Sequence, residues 1–436
     1  MNQYQKTHKN SELLWKRSQE VLAGGVSHNL RQFDLPLVGG FPVFISQTNG
    51  NTVTDVDGHE YIDYWCGHFS QLIGHNDPRI RNAVIERLQN GWHPGMVIEE
   101  QVNFAERIIE NSKSIEKIRF CTSGTEATMY ATRLARSYTN RNLIAKAKLG
   151  WHGANDTLFY DVSFPFVGKD TPGIRNMDEA GIITYSINDN SFFDTIAQKK
   201  DELAAIIIEP VLGGGGGISV SEDFLKHLRE ITEKFGIILI FDEIITGYRY
   251  HNGFFQDKIG IKADLTTMGK IISGGLPVGG IGGKEEIINL ADPKTDNTTL
   301  IGGGTFSAYP LSMTAGIKTL DILEKSRTDY ERINKLGEEL VLRLNKLFQN
   351  SNTGFIAIGR GSMAFIHAYA DYSSKQPITD IMTHKNKNKE ALFQLALLNR
   401  HITGYHGLGA LSFCHKKTDV DKTIEIIGSV ISFFSN

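Results

Sequence analysis

Apolar positions along the chain change rhythm three times. In the first 70 residues Val43–Gln47 and Glu60–Tyr64 read as strands, with Asp55-Val-Asp-Gly58 as the turn between them. Residues 78–90 and 99–111 repeat with the helical period. From about 116, short apolar runs at 116–121, 142–147, 204–208 and 237–242 alternate with amphipathic stretches at 125–138 and 222–235. Continuous apolar strands between helices predict a mostly parallel sheet covered on both faces. Beyond about 320 the pattern predicts helices near 311–324 and 330–349, short strands near 355–370 and 408–414, a polar loop over 371–386 and a last helix near 418–434. The expected organisation is α/β: a large domain over 71–320 and a smaller α+β domain built from 1–70 and 321–436.

Open sheets of this kind bind ligands outside the carboxyl ends of their strands. Ser123 and Asp242 fall at two such ends, and Lys270 follows a third apolar segment, 28 residues after Asp242. The three residue types are those needed to hold pyridoxal 5′-phosphate (PLP). Lys270, between Gly269 and Gly274-Gly275, would form an imine with the aldehyde and later move a proton. Asp242 would pair with the pyridine nitrogen. Ser123-Gly124-Thr125 opens a helix whose N–H groups suit a phosphate, although Ser123 and Glu126 also fit a capping box. Trp151 offers a flat face for the ring, and Ile244 packing on its other side. Thr305, after Gly302-Gly-Gly304, is a further phosphate candidate. The run Gly213–Gly217 lacks the Lys-Ser/Thr of a nucleotide loop and reads as a flexible loop near the site.

Composition narrows the remaining classes. A net charge of −3 with scattered Lys and Arg leaves no footprint for nucleic acid or an anionic membrane. The polar start lacks the apolar core of a signal peptide, and no apolar run approaches a membrane span. Three cysteines without CxxC spacing predict a reducing, cytoplasmic setting. The 14 histidines show no zinc spacing, and no metal is expected.

With these residues placed, the chain resembles the class III PLP-dependent aminotransferases of fold type I, and within them the glutamate-1-semialdehyde 2,1-aminomutase branch. The resemblance rests on Asp55-Val-Asp-Gly58, Tyr61-Ile-Asp-Tyr64, Gly74-His75, Ser123-Gly-Thr-Glu-Ala127, Ala135-Arg136, His152-Gly153, Glu209-Pro210, Asp242-Glu243, Thr246-Gly-Tyr-Arg249, Gly269-Lys270 and Gly304-Thr305. It implies small amino and oxo acids as substrates, and a homodimer in which Thr305 reaches the phosphate bound by the other subunit. It adds His152 and Glu209 to the cofactor set and places Arg31 where a substrate carboxylate binds. Three departures stand out. His68 replaces the branch's tryptophan, Trp151 its tyrosine, and Thr403–Gly409 lacks its acidic residue. They point to an aminotransferase acting on a β- or D-amino acid, with His68 and His406 shaping the side-chain pocket. The aminomutase or a related racemase is the first rival, and a non-catalytic PLP-binding protein the second.

Overall fold

The structure is a computed structural model that describes residues 2–295, 298–351, 353–369 and 383–434. The expected polar loop over 371–386 lies outside the described residues up to 382. The chain divides into two compact units, Pro78–Tyr330 and the paired segments Met1–Asp77 and Glu331–Asn436.

Pro78–Tyr330 is built on a seven-stranded sheet in the order Lys117–Cys121, Gly279–Gly283, Leu265–Gly269, Ile238–Asp242, Leu203–Ile208, Leu143–Ala147, Ile182–Tyr185. Only Gly279–Gly283 runs antiparallel to its neighbours. Leu203–Ile208 and Ile238–Asp242 are buried at every residue, which is why they carry unbroken apolar runs and no alternation. The helix Gly124–Thr139 lays Ala127, Ala131, Leu134 and Ala135 on the core, at the i, i+4, i+7, i+8 spacing of one face. The small side chains bring this helix close to the sheet. Helix Glu222–Phe235 starts where the Ser221 hydroxyl accepts the Phe224 N–H, and stops at Gly236, φ 61°.

Register fixes where the functional residues emerge. Gly269 pairs with Gly279, and Gly279 pairs with Cys121. Asp242 pairs with Thr267 one strand further along. Ser123, Asp242 and Lys270 therefore leave the sheet at the same edge. The closeness requires glycine: a Cβ on Gly279 would stand 2.2 Å from the Ser123 carbonyl oxygen.

The unit formed by the chain's two ends has a four-stranded sheet in the order Ile45–Asn49, Thr52–Asp55, Glu60–Asp63, Ile402–Thr403, the last pair parallel. A second sheet joins Phe355–Ile358, Met363–Ala368 and Gly409–Ala410. Leu336, Leu340, Leu344 and Phe348 of one helix meet Phe355, Ile366, Leu397 and Ile427 in the core. The strand expected over 408–414 shortens to Gly409–Ala410, and the chain turns at Phe413 and Cys414.

Replacing Gly279 by Ala should lower the unfolding free energy by about 1–3 kcal/mol, the usual cost of overpacking a closed site. Urea denaturation of the two proteins checks this. An unchanged midpoint would mean that the turn at Ser123 can retreat from the new methyl group.

Candidate active site

The edge of the sheet where the Asp242 and Lys270 strands end is unusually polar for its depth. Asp242 is buried, yet three donors meet its carboxylate. The Ile244 N–H (3.2 Å) and the Thr267 hydroxyl (3.0 Å) reach Oδ1, and His152 Nδ1 lies 2.7 Å from Oδ2. His152 is fully buried, and burial lowers its pKa more than Asp242 raises it. The ring is therefore neutral and donates from Nδ1, while its Nε2 has no hydrogen-bond partner among the described residues.

Lys270 follows the strand with φ 51°, a left-handed conformation that a non-glycine residue holds only under constraint. Part of the side chain remains accessible, but its amine sits deep enough for burial to dominate. Burial lowers its pKa, Asp242 and Glu209 oppose that effect, and Arg249 adds to it. The result is an amine closer to its free-base form than an ordinary lysine.

Glu209, buried after the strand Leu203–Ile208, joins two further parts of the site. Its Oε1 accepts the Trp151 N–H at 2.8 Å and its Oε2 the Gly213 N–H at 2.9 Å. Burial, with Asp242 second, pushes its pKa up to about 8. Trp151 keeps 36% of its surface exposed and meets Phe159 edge-on. The glycine run beside it corrects an expectation: Gly213–Gly217 is a packed turn, mostly buried, not a flexible loop. Cβ atoms on Gly213 and Gly214 would stand 2.1 Å from Ile245 and 2.7 Å from Trp151.

Ser123 caps its helix, its hydroxyl accepting the Glu126 N–H at 3.3 Å while the Glu126 carboxylate accepts from Thr122 N–H and the Ser123 hydroxyl. The capping box is real, and it leaves the first-turn N–H groups of Gly124 and Thr125 without helical partners, as at any helix start. Gly124 lies against the half-buried Ile244, whose Cδ1 would be 2.6 Å from an added Cβ. Gly153 faces Thr125 in the same way, at 2.4 Å. Thr305 is exposed on a turn next to Gly304, which lies by Thr122 and Glu126. Thr267 and Arg249 were not singled out from sequence. Arg249 stands in the Thr246-Gly-Tyr-Arg249 marker, which was the available signal; nothing in the strand Leu265–Gly269 marked Thr267.

A model of the family described as "Aminotransferase class-III" matches residues 37–388. The chain belongs to the class III aminotransferases. A glutamate-1-semialdehyde 2,1-aminomutase from Thermoplasma volcanium is 37% identical over 95% of this chain and 97% of its own. An omega-transaminase from Sphaerobacter thermophilus superposes with a TM-score of 0.86 at 30% identity, over 98% and 97% of the two chains. A transaminase solved with PLP bound superposes at 0.88 with 27% identity, over 98% and 99%. Class III aminotransferases depend on PLP, and the edge just described fits that group. It offers a lysine amine, a carboxylate held ready by three donors, an orphaned imidazole nitrogen, and a helix start kept open by Gly124.

Arg31, His68 and His406 belong to the other unit, described by itself. Arg31 is exposed on the short turn Asn29–Gln32 that begins at His28. His68, at φ 58°, lies 4.7 Å from the His28 ring and 4.1 Å from Trp65. Trp65 reaches Tyr405 at 4.7 Å, and Tyr405 reaches His406 at 3.9 Å. Two histidines far apart in sequence are thus joined through one row of rings. Lys385 Nζ stands 3.2 Å from His406 Nδ1 and 2.7 Å from the Glu390 carboxylate.

The raised pKa of Glu209 sets a pH dependence. The folded chain keeps this proton up to about pH 8, whereas an unfolded glutamate releases it near its ordinary value of 4.5. Stability from this group is full below the unfolded value and is lost as pH rises through about 8. Urea unfolding of the cofactor-free protein between pH 5 and 8 should show a fall that is shallower in Glu209→Gln, by at most about 1.4 kcal/mol per pH unit. Glu243, pushed up to about 7 mainly by burial, contributes equally to both proteins. Identical slopes would show that Glu209 is ionised in the fold.

Proposed function

We propose that this class III aminotransferase shifts an amino group within one carboxylate-bearing substrate, as the glutamate-1-semialdehyde 2,1-aminomutases do. The observation that carries the reading is identity of 37% to such an aminomutase across almost the whole of both chains. On this reading the two-substrate transamination expected from sequence moves to second place.

The residues divide the work as follows. Lys270 Nζ would hold the cofactor covalently and, once displaced by substrate, carry a proton between the substrate's Cα and the cofactor. Its depressed basicity suits both tasks. Asp242 would keep a proton on the ring nitrogen, with His152 and Thr267 fixing the carboxylate's direction. When bound, PLP supplies an electron sink for the bond broken at Cα. Trp151 and Ile244 would flank its ring, with Glu209 holding the Trp151 backbone. Gly124 and Thr125 N–H groups, with Ser123, would receive the phosphate, and Thr305 would contribute to the phosphate of a second subunit in a homodimer. Arg31 would bind the substrate carboxylate bidentately, and His68 and His406 would line its side-chain pocket.

Transamination between an amino donor, β- or D-configured, and an oxo acid is the second reading. It is favoured by Thr403–Gly409, which contains no carboxylate to meet a second amine, and by the likeness to an omega-transaminase.

Two measurements test these assignments. The PLP-loaded protein is mixed with glutamate-1-semialdehyde and with a panel of L-, D- and β-amino acids, with no oxo acid added. Turnover of the semialdehyde to its amino isomer, with the cofactor spectrum restored each cycle, is the expected result. Stoichiometric release of an oxo acid from another member of the panel, with no isomer formed, would move the protein to the second reading and name its donor. Lys270→Ala should retain less than about one per cent of whichever turnover is found, since such groups contribute 10²–10⁴-fold. Borohydride treatment should fix cofactor mass to the unmodified chain and none to the variant. A variant that retained activity would remove Lys270 from the mechanism.

A further inference from the structure

In the unit formed by the chain's ends, three side chains from separate turns converge. His8 lies between the helices Asn2–Thr7 and Lys9–Val21, Asp55 ends the strand Thr52–Asp55, and His59 precedes Glu60–Asp63. One ligand atom from each of His8, Asp55 and His59 lies within 4.8 Å of the other two. Asp55 Oδ2 is 3.7 Å from His8 Nε2 and 3.1 Å from His59 Nδ1. Ligands about 2.0–2.2 Å from a tetrahedral ion stand roughly 3.3 Å apart, so small side-chain shifts complete the geometry.

The hydrogen bonds around the cluster share few protons among several acceptors, and His59 Nδ1 is within hydrogen-bond distance of Asp55 Oδ2. His8 Nδ1 is 2.9 Å from the Tyr4 carbonyl oxygen, an acceptor only, so the ring proton belongs on Nδ1. Thr7 Oγ1 is also 2.9 Å from Nδ1, but its own proton has the Gln3 and Tyr4 carbonyls to meet. Nε2 is thereby left with a bare lone pair. It faces Tyr61 Oη at 2.8 Å, and that hydroxyl also faces Asp55 Oδ2 at 2.7 Å. One phenolic proton thus stands between two acceptors.

The surroundings resemble those that orient metal ligands. A carbonyl holds the far nitrogen of His8, and Asp55 Oδ1 accepts the N–H groups of Asp57 (2.9 Å) and His59 (2.8 Å). His8 and Asp55 are closed from solvent, while the His59 side chain keeps 24% of its surface and opens a way in.

We propose that His8, Asp55 and His59 bind one divalent transition-metal ion of the zinc class, with water in the fourth position on the His59 side. His59 ligates through Nδ1 by carrying its proton on Nε2. Tyr61 then donates to Asp55 alone. Two imidazoles and a carboxylate suit zinc or cobalt over calcium or magnesium. The ion would tie the N-terminal helices to the hairpin, a structural role separate from the PLP chemistry. Helical and strand spacing conceal it, because no two of the ligands form a zinc motif in sequence.

The test uses the full PLP-loaded chain, stripped with a chelator and dialysed. Titration with Co²⁺ should give one equivalent of a tetrahedral visible spectrum, displaced by Zn²⁺, and Zn²⁺ should raise the melting temperature. His59→Gln, at a partly exposed site, and His8→Gln should each weaken binding about 10- to 100-fold and abolish the thermal shift, with far-ultraviolet circular dichroism confirming the fold. Absence of saturable binding, or equal binding by the native chain and a folded His59→Gln variant, overturns the proposal and makes the cluster a hydrogen-bond network alone.

Discussion

Everything at the sheet edge depends on keeping one carboxylate usable while burying it. An uncompensated carboxylate at the depth of Asp242 would be too costly to keep ionised. The fold compensates it with three donors drawn from three places: its own following turn, the neighbouring strand through Thr267, and the His152 loop. Each donor constrains an element. Thr267 fixes the register of the strand that delivers Lys270. His152 fixes the segment that carries Trp151. The groups of the candidate site are thus organised around the cost of a buried carboxylate.

Close approach is the second constraint, and glycine meets it. Gly279 allows the reversed strand to lie under Ser123, Gly124 admits Ile244, Gly153 admits Thr125, and Gly214 admits Trp151. None of these contacts leaves room for a methyl group. They bring the backbone of four segments to within a side chain's reach of one another, as a small planar ligand with a phosphate tail requires.

The elements and the candidate site residues are legible in the sequence for the same reason. A strand buried on both faces must be apolar throughout, so Leu203–Ile208 and Ile238–Asp242 announce themselves, and polar residues that break such runs stand out. Asp242 and Lys270 are visible in that way. The Gly213–Gly217 run was misread because composition cannot tell glycine used for freedom from glycine used for contact; only Trp151 and Ile245 in place show which it is. Thr267 was invisible because a threonine is ordinary in a strand, and its partner lies on another one. The histidines fared similarly. His8 and His59 lie far apart along the chain, and His68 and His406 meet only through Trp65 and Tyr405.

Two carboxylates near one amine raise the question of where the charge sits. Asp242 meets side-chain and backbone donors, including an imidazole held neutral by burial. Glu209 meets two backbone N–H groups only, and burial together with the charge of Asp242 pushes its pKa up to about 8. The donor-rich carboxylate of Asp242 stands on the strand end that can face a ring nitrogen. A proton on Glu209 relieves Lys270 of one of the two carboxylates that would hold its amine protonated. The same burial that makes Glu209 neutral makes Lys270 a usable nucleophile, so the basicity of the lysine and the polarity of the Trp151 support are set together.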